Sequence, residues 1–170
     1  MAKLALNDCL QTQVFRKIVQ IYRDNPILRR TIKPTSWFVW DGRSDMKDDP
    51  FIQGNLPAIR LTPAAQPARP LTNVRFEANF LIRQEIAVSG FNMDDIMNLW
   101  FTMHTTIFTG DGNRAVLQAL SALSLAATPP GQNIVQVGMG MPAFTPHMDA
   151  LGSEMILADG DIAIQMLIPR

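Results

Sequence analysis

Residues 74–90, VRFEANFLIRQEIAVSG, constrain the fold more than any other stretch of the chain. From Phe76 to Val88 the even positions read Phe, Ala, Phe, Ile, Gln, Ile, Val, and from Arg75 to Ala87 the odd positions read Arg, Glu, Asn, Leu, Arg, Glu, Ala. Side chains in a strand point alternately to its two faces, so this pattern predicts one extended strand with a buried face and a wet face. Strands usually stop at about five or six residues. Fifteen extended residues reach roughly 50 Å. A 170-residue globule has a radius of gyration of about 15 Å and a diameter near 40 Å. A strand as long as its domain is expected to overhang the core and to need another subunit over its open edges. The wet-face residues Arg75, Glu77, Arg83 and Glu85, of mixed sign, then suit a self-complementary or ring-type subunit contact. The alternative is a bulged, bent strand shared between two parts of one sheet.

The flanking segments predict a single α+β domain over residues 1–170. Asn7 and Asp8 are placed to cap a first helix running to about Arg23, with Val14, Ile18 and Ile21 or Tyr22 on its apolar stripe. DNPILRRTIKPTS ends that helix, and Ser36 to Trp40 reads as a short strand. DGRSDMKDDPF is polar and turn-forming, which predicts an exposed loop at 41–50. NLPAIRLTP is a second short strand, and PAAQPARPLT, residues 63–72, reads as an extended, semi-rigid Pro-rich arm.

After Gly90 closes the long strand, Asn92 caps a helix whose first turn carries Asp94 and Asp95, the sign its dipole favours. Met93, Ile96, Met97, Trp100, Met103 and Ile107 recur at helical spacing, and Gly110 stands at the C-terminal stop. NRAVLQALSALSLAA is a second central helix, stopped by TPPG. NIVQVGMGM reads as a strand, and GSEMILADGDIAIQMLIP as two strands joined in a tight turn at Asp159-Gly160. The expected architecture is a mostly antiparallel sheet with the long strand at about 74–90, packed by the N-terminal helix and the two central helices.

Composition narrows the function classes. Of the residues 47% are hydrophobic, and 15 Lys plus Arg balance 15 Asp plus Glu. A neutral chain lacks the basic footprint of a protein devoted to free nucleic acid. One cysteine, Cys9, cannot close an internal disulfide, which suits a reducing compartment. The N-terminus MAKLALNDCL is too short and too polar for a secretory signal, and no apolar run reaches membrane-spanning length.

The candidate chemistry is thin. His104 sits mid-helix with Phe108 where a second ligand would be expected, so only a long-range meeting with His147 and Cys9 would make a metal site. The carboxylates Asp41, Asp45, Asp48 and Asp49 lack the mid-loop glycine and closing glutamate of a calcium loop. VGMGMP, at 137–142, lacks the three-glycine spacing and following helix of a dinucleotide site. TGDGNRA, at 109–115, precedes a helix and could hold an anion, but it lacks the lysine of a phosphate loop. No serine stands in a nucleophile elbow. The expectation is a non-enzymatic protein with no catalytic residues, cofactor or metal.

The order of a leading helix, LPAIRLTP, a Pro-rich arm, the long RFEANFLIRQEIAVSG and then NMDDIMNLWFTMHTTIF resembles the tail terminator proteins of tailed bacteriophages. The likeness is one of element order and size, from residue 8 to about 168. It implies a small α+β subunit that closes into a homo-oligomeric ring, typically a hexamer. Such a ring caps the tail tube and docks to the head connector within the virion, after assembly in the host cytoplasm, with DNA only passing through its channel. On this resemblance the arm and long strand are packing partners within the ring. The loop residues Asp41, Arg43, Asp45, Lys47, Asp48 and Asp49 are then candidates for contacting the tail tube protein or the head-tail connector protein. Two other readings stand beside it: another neck or connector component, and a ligand-binding or enzymatic α+β domain using a groove near Trp100 and His104.

Overall fold

A computed structural model of the protein describes residues 10–39, 51–65, 69–72, 75–108, 116, 118–123 and 133–169. The loop at 41–50, Cys9, Asn7, Asp8 and Gly110 lie outside the described residues. The fold is α+β, with a seven-stranded sheet that is antiparallel except where β1, Trp37–Val39, runs parallel to β2, Ala58–Ala65. The other strands are β3, Arg69–Thr72; β4, Arg75–Ser89; β5, Asn133–Met139; β6, Ala143–Met148; and β7, Glu154–Pro169. The helices are α1, Leu10–Asp24; α2, Pro26–Thr31; and α3, Met93–Phe108, with a further helical stretch at residues 118–123.

The long strand is as the alternation predicts: β4 runs unbroken from Arg75 to Ser89. Phe80, Ile82, Gln84, Ile86 and Val88 are all buried on the helix side, while Arg83 and Ser89 on the alternate face are exposed. Its whole length pairs with β7, without a register shift, from Arg75 opposite Pro169 to Ser89 opposite Met155.

Two expectations are corrected by that ladder. Asp159-Gly160 is not a hairpin turn, because β7 continues through it, with Gly160 opposite Gln84. An added Cβ at Gly160 would lie 2.7 Å from Cη2 of Trp100, so the glycine admits the indole onto the sheet rather than reversing the chain. β4 is also not left with open edges along most of its length. β7 covers one side, while β2 pairs Phe80–Ala87 and β3 pairs residues 75–77 on the other. A strand this long is sheltered within its own chain because a second strand, one residue longer, runs beside it. The Pro-rich segment contributes to that shelter: residues 63–65 extend β2 and residues 69–72 form β3, so its described residues are paired rather than free-standing. Proline is tolerated there because β1 pairs β2 only at Ile59–Leu61, which leaves Pro63 beyond that ladder, and β3 pairs β4 alone.

The helices cover one face. Leu10, Val14, Phe15, Ile18, Val19 and Tyr22 recur along α1 at helical spacing and are all buried. Asn25-Pro26 ends α1 and starts α2: the Asn25 carboxamide oxygen accepts from the Ile27 and Leu28 amides at 2.9 and 3.1 Å, and Pro26 needs no hydrogen-bond acceptor in the first turn. At the centre of the core the buried Tyr22 hydroxyl donates to Gln84 Oε1 at 2.9 Å. Burial pushes the Tyr22 phenol above its ordinary pKa, so it stays a donor. On the opposite face a smaller apolar cluster, Phe51, Leu56, Ala58, Ala87 and Met155, closes one end of the sheet.

Candidate subunit interface

The residues singled out on the wet face of β4 are brought together with partners from neighbouring strands. Register sets Arg60 of β2 opposite Glu85, and Glu85 opposite Asp159 of β7. The Arg60 guanidinium makes a two-pronged ion pair with Glu85, and Arg83 pairs with Asp159, donating from Nε at 3.2 Å and from Nη2 at 2.5 Å. The Asp159 hydrogen bond holds the Arg83 guanidinium above its ordinary pKa. Glu77 accepts from Gln165 Nε2 at 2.7 Å. Glu77, Arg83 and Glu85 therefore share one face, each already engaged within the chain, and Arg75 opens the same strand. Cross-strand pairs of this kind contribute about 0.2–1 kcal/mol each.

His104 is on α3 and His147 on β6. His104 lies between two aromatic rings, stacked on Phe101 with centroids 6.3 Å apart and tilted against Phe108 at 5.0 Å. Among the described residues no three His, Cys, Asp or Glu side chains form a metal-binding group. Asp94 and Asp95 occupy the exposed first turn of α3, where Asn92 Oδ1 accepts from the Asp95 amide at 3.3 Å. A buried carboxylate that sequence reasoning missed, Asp149, holds the turn between β6 and β7. Its oxygens accept from the amides of Ser153 at 2.8 Å, Leu151 at 2.9 Å and Gln53 at 3.4 Å. The Ser153 amide is the largest of the causes that hold Asp149 below the usual carboxylate range. With Gly152 at φ +80°, the arrangement is a turn scaffold.

The apolar set predicted along α3 divides between two faces. Ile96, Leu99, Trp100, Met103 and Ile107 are buried against the sheet. Met93 at 42%, Met97 at 51% and Phe101 at 65% are exposed, with half-buried His104 and Phe108 continuing their row. At 3.6 residues per turn these five share one flank adjoining the buried stripe. The apolar arc of α3 thus covers about half its circumference, where a helix packed on one side needs a stripe of roughly 100°. The other flank is occupied: Asn25 Nδ2 donates to Thr106 Oγ1 at 2.8 Å, and α2 borders Asn98, Leu99 and Thr102. The row from Met93 to Phe108 therefore faces away from α1 and α2. Phe91, 48% exposed, extends the apolar surface at its start.

At the β1–β2 end of the sheet lies a groove of ≈ 540 Å³. Phe15 and Val19 of α1, Val39 of β1, Pro63 of β2 and Phe80 of β4 make its apolar walls, and Gln20, Arg23 and Asp24 stand at its rim. Trp100, near which the alternative reading sets a groove, is 6% exposed and lies against Gly160.

No protein-family model matches the chain, and no curated protein matches it. Among the described residues no helix is long and apolar enough to cross a membrane.

Proposed function

We propose that the protein is a structural virion component, a tail terminator subunit whose copies form a ring, a hexamer by the family resemblance. The ring caps the tail tube and joins it to the head connector. What carries this reading is the order and extent of the elements around β4. A leading helix and a short strand come first, then a Pro-bearing edge, an unbroken 15-residue strand and a helix directly after it. The exposed apolar flank of α3 adds support, since a contiguous apolar patch on a soluble subunit usually marks a contact with another chain. DNA passing through such a channel would meet a subunit with no net charge, which suits sliding rather than tight binding.

The experiment is light scattering coupled to gel filtration over a range of concentrations, followed by negative-stain imaging. The expected species is a ring several times heavier than the 18.9 kDa chain. A protein that stays monomeric at every concentration refutes the proposal. Adding the ring to polymerising tail tube protein separates a terminator, which limits tube length and sits at tube ends, from another neck component, which does neither.

A further inference from the structure

We infer that the apolar flank of α3 in one copy seats in the α1 groove of the next copy, a head-to-tail contact built from two different surfaces of the same chain. This rests on the ring reading above and specifies the surfaces that close the ring. The shapes are complementary. Met97 and Phe101 project from α3 as a ridge, while Phe15, Val19, Val39, Pro63 and Phe80 enclose a groove. Methionine and phenylalanine suit this role, one adapting its shape and the other contributing large apolar area.

The two surfaces also lie toward different ends of the strand order. The groove is walled by β1, β2 and β4, at the β1 end of the strand order β1-β2-β4-β7-β5. The ridge sits on the flank of α3 turned away from α1 and α2, on a helix whose Trp100 stands over Gly160 of β7. A patch that mates with a different patch across the molecule generates a closed ring when the rotation closes and a filament when it does not.

Charge favours the same pairing. The groove is lined by the exposed Arg16 and Arg23 against Asp24. Helix α3 carries Asp94 and Asp95 in its first turn and no lysine or arginine. Ridge to groove, the acidic first turn of α3 faces a surface on which Arg16 and Arg23 outnumber Asp24, a pairing of opposite charge that ridge on ridge does not offer.

The test uses the full chain. Phe101→Glu, at an exposed site, is expected to keep the circular dichroism spectrum and thermal melt of the wild type while raising the concentration for half-assembly roughly 10- to 30-fold, the loss expected for a central aromatic anchor. The single reversals Asp94→Lys and Arg23→Glu each weaken assembly, and the double reversal restores part of the loss. In a Cys9→Ser background, Phe101→Cys with Gln20→Cys treated with a short bismaleimide is expected to give a covalent ladder beyond the dimer. A wild type that forms rings while Phe101→Glu assembles equally well, or while the two-cysteine protein gives no ladder, overturns this contact and leaves the ring reading standing. A wild type that never assembles overturns both.

Discussion

Gly160→Ala tests the placement of the two long strands. A Cβ at this position would lie 2.7 Å from Cη2 and 3.0 Å from Cζ2 of Trp100, against an optimal carbon–carbon separation of about 3.5–4.0 Å. Every residue other than glycine would place a Cβ there, and the indole is only 6% exposed. Forcing a methyl group under it costs about 1–3 kcal/mol of overpacking. Restricting the unfolded chain returns about 0.4–1 kcal/mol. The net expectation is a loss of about 1–2 kcal/mol, or roughly 2–8 °C in Tm for a chain of this size. Equilibrium urea unfolding, below the assembly concentration and with unchanged m, reads it directly. Trp100→Phe removes both clashing atoms, so in that background Gly160→Ala should cost close to nothing, a coupling of about 1–2 kcal/mol. If Gly160→Ala is as stable as the wild type, or if its penalty is undiminished beside Phe at position 100, the close approach of Trp100 is not the reason for the glycine.

Three further outcomes follow from the described contacts. Tyr22→Phe removes the hydroxyl that satisfies Gln84 Oε1 in the core, and should cost about 1–3 kcal/mol; the double variant Tyr22→Phe with Gln84→Met should recover most of that in denaturant titrations, because no polar group is then left unpaired there. Asp149 has a lowered folded-state pKa, so it contributes stability above its unfolded value near about 3.9 and loses it as the pH falls through the lowered folded value; the gap in Tm between wild type and Asp149→Asn should therefore narrow below about pH 4. Glu85→Ala breaks a partly exposed cross-strand pair with Arg60, and should cost no more than about 1 kcal/mol by urea titration, less in high salt.

The sequence carried the long strand almost to the residue, because alternation over so many positions has one structural meaning. The core stripes of α1 and α3 were legible for the same reason at a period of 3.6. What it hid was decided by partners distant in the chain. Asp159-Gly160 carries the local signature of a turn, yet the deciding atom belongs to Trp100, on another element. Asn25-Pro26 looked like an ending but is also a start signal, asparagine at the cap and proline in the first turn, and could have been read as one. β6 was missed because Ala143–Met148 is short, mostly exposed and interrupted by Pro146, so no buried face imposes a pattern. The ridge on α3 shows the limit for sites. Periodicity grouped Met97 with the core, since spacing reports that a helix has an apolar side but not whether one partner covers all of it.

The matched β4–β7 ladder also dictates an order of events during synthesis. The apolar side of β4 leaves the ribosome long before its partner, because Ser89 must wait for Met155 and Arg75 must wait for Pro169. Until then the central strand has only β2 and β3 beside it, and the nascent chain is sticky. Pairings between such remote segments form slowly. A translation product cut short within β7 would therefore carry an unfinished sheet into the cell, where it would clump or be degraded rather than join an assembly.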